Sequence, residues 1–154
     1  MNAKELYLFN PFTIAECSIE EIQKTYTRLQ ERIIDDTDIP YQIASNIEIY
    51  SNMCYLLGEM IARLTEEYET LKVEKDIQEN NEIYSLRDDF VKNNSEKAPA
   101  IDYFKAKAKE KVKKQYEELA KLSARLFRFK KAYDSCENKM NALKKKLESI
   151  KYEN

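Results

Sequence analysis

The chain has 154 residues, among them one glycine, three prolines and no histidine, and 35% of its side chains are charged. So few turn-forming residues exclude an all-β fold and are typical of long helices. The formal net charge of −2 conceals an asymmetry. Residues 101–154 hold 16 basic and 8 acidic side chains, a net charge of +8, whereas residues 1–100 hold 10 basic and 20 acidic ones, a net charge of −10. Opposite charges on successive helices favour pairing within or between chains, and the basic segment could also contact phosphate.

The chain begins with an apolar arm, residues 1–17, followed by a short helix. The arm has too few apolar residues for a core of its own, so we expect it to pack over a helix of its own or of a neighbouring subunit. Ser18 and Glu21 form a capping-box pattern, which predicts a helix over residues 18–35. Asp38 is placed to cap the next helix, and Pro40 suits the first turn of that helix.

A long second helix is predicted over residues 40–80. Its apolar residues recur every 3.5 positions on average, which is the spacing of a coiled-coil seam. This first stripe consists of Ile43, Ile47, Tyr50, Cys54, Leu57, Ile61, Leu64, Tyr68 and Leu71. A neighbouring row is mostly small and consists of Ala44, Ser51, Tyr55, Gly58 and Ala62. Small side chains let another helix approach closely, so we expect this helix to contact more than one partner.

Residues 81–100 are polar and predict a loop with room for one short helical turn, and Pro99 marks the start of a third helix over residues 101–151. That helix carries a second apolar stripe, in which spacings of three and four residues alternate. The second stripe consists of Leu119, Leu122, Leu126, Phe129, Tyr133, Cys136, Met140, Leu143, Leu147 and Ile150. The sequence therefore predicts one all-α domain, residues 1–154, built as a long antiparallel helical hairpin or coiled coil with a short N-terminal helix.

The apolar faces are larger than a monomeric hairpin can bury, which predicts a homo-oligomer, and a ring of several subunits in preference to a dimer. The residues that we expect to serve packing or oligomer contacts are Ile47, Tyr50, Leu57, Ile61, Leu126 and Phe129.

Several kinds of catalytic chemistry lack their usual residues. Without histidine the chain has neither the commonest general base nor the commonest metal ligand. With only one glycine, the chain cannot form the glycine-rich loop that binds phosphate in nucleotide-binding proteins. The many carboxylates of the second helix suit a solvated face, and no cysteine has a basic neighbour in sequence that would activate it. We therefore expect a non-enzyme with no cofactor and no metal site.

The three cysteines, Cys17, Cys54 and Cys136, lack metal-ligand spacing, and their odd number argues against a closed disulfide framework. A reducing, cytoplasmic compartment is the simplest interpretation. The N-terminus does not have the pattern of a signal peptide. No apolar run approaches the length of about 20 residues that spans a bilayer, so we expect no membrane association.

The start of the third helix is rich in lysine. Six lysines fall within ten residues, namely Lys105, Lys107, Lys109, Lys111, Lys113 and Lys114. They occupy most faces of a helix, so some must point outward in any packing, where they could bind a phosphate backbone. Tyr103, Phe104 and Tyr116 could stack on bases. Alternatively, the aromatic residues belong to the core and the lysines pair with the acidic second helix.

From Tyr41 the sequence reads YQIASNIEIYS. Tyr41, Ala44, Asn46, Tyr50 and Ser51 match a Tyr-x-x-Ala-x-Asn-x-x-x-Tyr-Ser pattern, in which this chain resembles the phage recombination mediators of the UvsY type. The similarity covers about eleven residues in detail, and in architecture about residues 18–150. The resemblance implies a small helical protein that assembles into rings and binds single-stranded DNA. It also implies two protein partners, a RecA-like recombinase and a single-strand binding protein.

The chain departs from this family at a basic Leu-Lys-x-Arg element. Carried over without gaps, the element falls on Lys75–Gln78, where the expected second basic residue is missing. The nearest candidates for nucleic-acid binding there are Lys72 and Lys75, and the lysines of the third helix could substitute for the element. A hypothesis of another class is a helical interaction protein without any nucleic-acid role, such as a phage-encoded inhibitor or a scaffold.

Overall fold

The structure is a computed structural model that describes residues 8–94 and 96–153. Over these residues it contains one 3₁₀ turn, Ile14–Glu16, four α-helices and no β-strand. The helices are α1 (Ile19–Glu31), α2 (Pro40–Asn93), α3 (Ile101–Lys111) and α4 (Lys113–Glu153). The contacts divide the chain into two compact units, one formed by residues up to Arg63 and from Phe127 onwards, the other by Leu64–Leu126. The all-α fold class and the long packed helices are confirmed.

Helix α2 extends further than the sequence pattern predicted. It continues without a break to Asn93, so the connection to α3 begins at residue 94 and not at residue 81. No glycine or proline interrupts residues 81–93, and Ile83, Leu86 and Phe90 recur at spacings of 3 and 4. These three side chains pack in the second unit against Phe104, which supplies the apolar contact that a polar-looking segment needs to remain helical.

The predicted third helix is two helices. The regular α-helix is interrupted at Val112, whose backbone has φ −97° and ψ 17°, and whose side chain is fully buried. The Val112 amide donates a hydrogen bond to the Ala108 carbonyl at 3.2 Å, and the Tyr116 amide donates to the Val112 carbonyl at 3.3 Å. The chain direction therefore continues from α3 into α4 with only a local change of backbone geometry.

The first unit is built around one apolar cluster to which α1, α2 and α4 contribute. Leu56 is completely buried, and Ile22 of α1 and Cys136 of α4 lie in the same cluster. A second row of α2, namely Ile49, Met53, Leu56 and Met60, is buried beside the first stripe. Each stripe residue that we predicted on α2 and α4 is at least partly buried. The predicted burial of the two stripes is thus confirmed, while the second row of α2 adds a buried face that the stripes did not include.

Arg63 secures the described part of the N-terminal arm to α2. Its guanidinium donates hydrogen bonds to the carbonyl oxygens of Cys17 and Ile14, both at 2.8 Å, and to that of Ala15 at 3.3 Å. Glu59 accepts from the Nε of Arg63 at 2.7 Å. The Ile14 carbonyl also accepts the 3₁₀ hydrogen bond from the Cys17 amide at 3.0 Å, so Arg63 adds a second donor there and supplies donors to the carbonyls at the end of the turn. The described part of the arm packs on its own chain, whereas the packing predicted for residues 1–7 lies outside the described residues.

Two predictions concern the helix starts. The capping box is confirmed, since the Glu21 amide donates to Ser18 Oγ at 3.2 Å and the Ser18 amide donates to the Glu21 carboxylate at 2.8 Å. Before α2, Thr37 accepts from the Ile39 amide at 3.1 Å, which is a turn ahead of the helix and not the cap that we predicted at Asp38. Asp38 instead forms an ion pair with Lys146 at 2.6 Å.

Candidate nucleic-acid interface

Helix α3 has one buried line and two flanking rows of lysines. Phe104, Ala108 and Val112 are buried at four-residue spacing and anchor this segment to the second unit. All six lysines of the segment are exposed. Helical geometry places the four lysines of α3 in two rows, one on each side of the buried line. The lysine rows are Lys105 and Lys109 on one side and Lys107 and Lys111 on the other; Lys113 and Lys114 follow at the start of α4.

Three of these lysines contact carboxylates, one of them on α2 as the alternative interpretation expected. The ion pairs are Lys105–Asp102 at 3.2 Å, Lys111–Glu82 at 2.6 Å and Lys113–Glu117 at 4.0 Å. Among the ion pairs of the described residues, only Lys111–Glu82 joins the lysine rows to α2. Both of its partners keep contact with solvent, and such pairs contribute little to stability, typically about 0.2–1 kcal/mol. A phosphate backbone could therefore compete with these carboxylates for the lysines.

The three aromatic residues near the lysines have different environments. Phe104 is 2% exposed and packs edge-on against Phe90, so the prediction that it stacks on bases is wrong. The hydroxyl of Tyr116 donates to Glu79 at 2.8 Å, which ties that ring to α2. Tyr103 is 45% exposed and has the Nζ of Lys107 4.7 Å from its ring centroid. Tyr103 is therefore the ring best placed to meet a base.

Lys75, a predicted DNA contact, is instead part of a buried polar cluster. Its Nζ lies 2.6 Å from Asp76, 3.4 Å from Glu79 and 3.4 Å from the hydroxyl of Tyr116, whose ring centroid is 4.4 Å away. The hydrogen bond to Asp76 raises the pKa of Lys75 and outweighs the opposing effect of burial. The hydrogen bond to Glu79 raises the pKa of Tyr116. The ammonium group is satisfied within the chain and only 10% of its side chain is exposed, so Lys75 is excluded as a phosphate contact.

Lys72 is the remaining candidate at the position that the resemblance indicated. It is exposed, and its Nζ lies 3.9 Å from Glu69. It stands among carboxylates, with Glu69 and Glu74 also exposed. One lysine in an acidic neighbourhood offers little attraction for phosphate. The structure thus does not bring Lys72 and Lys75 together into a basic site.

The Tyr41–Ser51 pattern has a structural explanation for part of its residues. Asn46 is buried, and its side-chain amide donates to the Ile34 carbonyl at 2.7 Å and accepts from the Ile34 amide at 3.0 Å. Tyr50 is buried in the apolar cluster of the first unit. Tyr41, in contrast, is 72% exposed. The pattern therefore includes residues that fix the connection between α1 and α2 as well as residues at the surface.

The six predicted packing residues are all directed inward to some extent. Tyr50, Leu57 and Phe129 belong to the cluster of the first unit, while Ile47, Ile61 and Leu126 are half-buried. These burials describe packing within one chain.

The cysteines lie in the interior of the first unit. All three are buried and in the thiol form. Burial, with a smaller contribution from Cys136, raises the pKa of Cys54 to about 11. The Tyr26 hydroxyl lies 3.9 Å from Cys136 Sγ, and burial together with this neighbour raises the pKa of Tyr26 to about 12. Within the described residues, no group of three or more Cys, Asp or Glu side chains is arranged to hold a metal ion.

None of the helices in the described part of the chain combines the length and apolar composition that crossing a membrane needs. Comparison of this chain with protein-family models, with curated proteins and with solved structures finds no match, so the resemblance at Tyr41–Ser51 stays a hypothesis.

Proposed function

We propose that this protein is a non-enzymatic, single-stranded DNA-binding recombination mediator that helps to load a RecA-like recombinase. The observation that carries the proposal is the pair of exposed lysine rows beside the buried line of α3. Lysines give sequence-independent affinity for phosphates through counterion release. The exposed ring of Tyr103 offers a surface on which a base can stack. The recombinase and the single-strand binding protein enter the proposal through the family resemblance alone.

The proposal includes a homo-oligomer of antiparallel helical hairpins. The order of contacts within the second unit supports the antiparallel arrangement, because Lys75 contacts Tyr116 whereas the later Glu82 contacts the earlier Lys111. In a ring of several copies the lysine rows would recur around a circle. Such a repeated array would form a continuous positive track for a single strand, with many weak phosphate contacts acting together.

Two charge-matched variants test the DNA contact. One variant carries Lys105→Ala and Lys109→Ala in the first lysine row, and the control carries Lys144→Ala and Lys145→Ala near the end of α4. All four side chains are exposed, and alanine is a good helix former, so both variants should keep the helical fold. Binding of fluorescent oligodeoxythymidine is measured by anisotropy, and helicity by circular dichroism.

We expect the α3 variant to bind at least about tenfold more weakly than the control, because it removes two phosphate contacts rather than only net charge. Equal affinities of the two variants would show that the lysine rows are not the binding site. A wild-type protein that binds no oligodeoxythymidine at low salt would contradict the proposed function altogether.

The second candidate is a helical interaction protein without a nucleic-acid role. The observation in its favour is that Lys111 pairs with Glu82 across the two helices at 2.6 Å, so part of the basic charge is used within the chain. Under this hypothesis the lysines serve to pair with acidic surfaces, and removing Glu82 would not change any DNA affinity. Under the first hypothesis Glu82→Gln frees Lys111 and should strengthen DNA binding, which distinguishes the two.

A further inference from the structure

The first unit contains an apolar groove between α1 and α4, with α2 as its floor. The groove has a volume of about 490 Å³, which falls within the range of about 300–1,000 Å³ that is usual for sites of small organic ligands. Its floor is formed by Leu56, Leu57 and Met60, each at most 5% exposed. Tyr26 of α1 and Phe129 of α4 line it as well and are half-buried. The groove therefore offers aromatic walls that keep some contact with solvent.

Two short side chains keep this groove open. Where α1 and α4 face each other across it, α1 contributes Thr27 and α4 contributes Ala132. A large apolar side chain at either position would fill part of the space. Ala132 is half-buried, so its methyl group adds to the apolar surface that the chain itself does not cover. Such surface gains stability when the apolar body of a ligand covers it.

The charge of the groove indicates the class of ligand. Arg128 is exposed and is the only charged side chain among the described residues that line the groove. Among the ion pairs of the described residues none includes Arg128, while Glu20 pairs with Lys24 at 2.9 Å and Glu59 pairs with Arg63 at 2.7 Å. The apolar interior thus stands beside one positive charge that no described carboxylate contacts.

The α1 side of the groove carries uncharged polar groups. Gln23 is exposed, and its side-chain amide can donate a hydrogen bond to an oxygen of a ligand. The Thr27 hydroxyl donates to the Gln23 carbonyl at 3.1 Å. Neither residue brings a negative charge that would repel an anion. The guanidinium of Arg128 suits a carboxylate, which it can bind through two parallel hydrogen bonds. One guanidinium balances one carboxylate, whereas a phosphate dianion would keep an uncompensated charge.

We propose that this groove binds a small carboxylate with an apolar body, such as a medium-chain alkyl carboxylate. The body covers Tyr26, Phe129 and Ala132, and the carboxylate pairs with Arg128 and accepts a hydrogen bond from Gln23. The site lies in the first unit, whereas the lysine rows belong to the second. It therefore goes beyond the DNA contact of the proposed function and does not depend on it.

Decanoate and decanol are suitable probes, because they share an apolar chain and differ in charge. Binding is followed by nuclear magnetic resonance of isotope-labelled methionine methyl groups, at ligand concentrations below micelle formation and without DNA. Met60 lines the groove and should report the ligand. Met53 and Met140 contribute to the same apolar cluster but do not line the groove, so they serve as internal controls.

Three variants test the contacts. Arg128→Gln removes the charge at an exposed position, and its matched control is Lys144→Gln, which removes an exposed charge elsewhere on α4. Ala132→Leu fills the groove without removing a charge. Glutamine and leucine are good helix formers, so all three variants should keep the helicity of the wild type, which circular dichroism checks.

We expect decanoate to shift the Met60 signal saturably and to bind more tightly than decanol. Arg128→Gln should weaken decanoate binding by about threefold to tenfold relative to Lys144→Gln and leave decanol binding unchanged, since only the carboxylate loses a partner. Ala132→Leu should weaken the binding of both probes, because it occupies the space of their apolar chains.

Several results would overturn the proposal. They are an unchanged Met60 signal, equal shifts at Met53 and Met140, equal decanoate affinities of Arg128→Gln and Lys144→Gln, and wild-type binding by Ala132→Leu. The outcome is independent of the proposed function. Decanoate binding in a protein that binds no oligodeoxythymidine refutes the DNA function alone, and DNA binding in a protein that ignores decanoate refutes the carboxylate site alone.

Discussion

Replacing Lys75 with methionine is the substitution that best separates the structural role of this residue from a role in DNA binding. Methionine keeps the apolar stem and removes the ammonium group, which contacts Asp76, Glu79 and Tyr116. Asp76 is 53% exposed, so water replaces the lysine there. The side chain of Glu79 is only 14% exposed but keeps the hydrogen bond from Tyr116 at 2.8 Å. We therefore expect a loss of about 2–3 kcal/mol in the free energy of unfolding, less than for a fully orphaned buried charge.

Urea unfolding followed by circular dichroism measures this loss. The matched control is Lys72→Met on the same helix, since Lys72 is about half exposed and has its nearest carboxylate at 3.9 Å. The control should change stability by no more than about 0.5 kcal/mol. Adding Glu79→Leu to Lys75→Met should cost less than the sum of the two single changes, because both charges of the least exposed ion pair of the cluster are then removed together.

The DNA assay completes the test. Under conditions where Lys75→Met remains folded, its affinity for oligodeoxythymidine should equal that of the wild type, because the Lys75 ammonium is satisfied within the chain. Unchanged stability together with weakened DNA binding would refute the structural role and restore Lys75 as a phosphate contact.

Three further predictions concern the first unit. Gly58→Ala should raise the free energy of unfolding by about 0.5–1 kcal/mol, because Gly58 lies within α2 and an added Cβ would meet no atom within 4 Å apart from its chain neighbours and the backbone of its own helix. Urea unfolding measures this change, and a loss of stability would contradict the prediction. Arg63→Met should lower the free energy of unfolding by about 2–3 kcal/mol, because the carbonyls of Ile14, Ala15 and Cys17 lose the donors of the guanidinium. It should also speed amide hydrogen exchange in residues 14–17, and unchanged exchange would count against this role of Arg63. The free energy of unfolding should be at its full value below about pH 9 and fall as the pH rises towards 11–12. The reason is that Cys54 and Tyr26 have raised pKa values in the folded state and hold their protons more tightly than in the unfolded chain. Cys54→Ala should flatten this decline, and a stability that rises over this range would refute the prediction.

Periodicity was enough to predict the long helices and their buried faces. The first and second stripes follow a spacing of 3.5 residues, and burial on one side of a helix leaves that spacing in the sequence directly. The second buried row of α2, at Ile49, Met53, Leu56 and Met60, also has spacings of 4, 3 and 4. It could have been found by the same count, and it would have predicted that α2 packs on two sides.

Other features depend on residues that are distant in sequence. The extension of α2 to Asn93 relies on Phe104, which packs with Ile83 and Leu86 from across a turn. Likewise, nothing in the local sequence distinguishes Lys75 from a surface lysine, because its partner Tyr116 is distant in sequence. The hydrogen bonds of Arg63 to carbonyls about 46–49 positions away leave no local pattern at all. Such contacts are decided by tertiary packing, which local propensity and hydrophobic spacing do not encode.

The lysine rows could be predicted from the sequence in part. Sequence counting identified all six lysines, and their exposure agrees with the expectation that some point outward. What counting did not provide was the division into two rows, because this division depends on which residues are buried. The burial of Phe104 and Ala108 fixes the rotation of α3, and with it the direction of each lysine.

The salt dependence of single-stranded DNA binding tests the central claim most directly. Affinity for oligodeoxythymidine is measured between about 50 mM and about 200 mM salt for the wild type and for the variant with Lys105→Ala and Lys109→Ala. If both lysines contact phosphates, the logarithmic slope of the wild type should be steeper than that of the variant by about 1.4, at about 0.7 per phosphate on single strands. Equal slopes, or a wild-type affinity that does not change with salt, would contradict binding through the lysine rows.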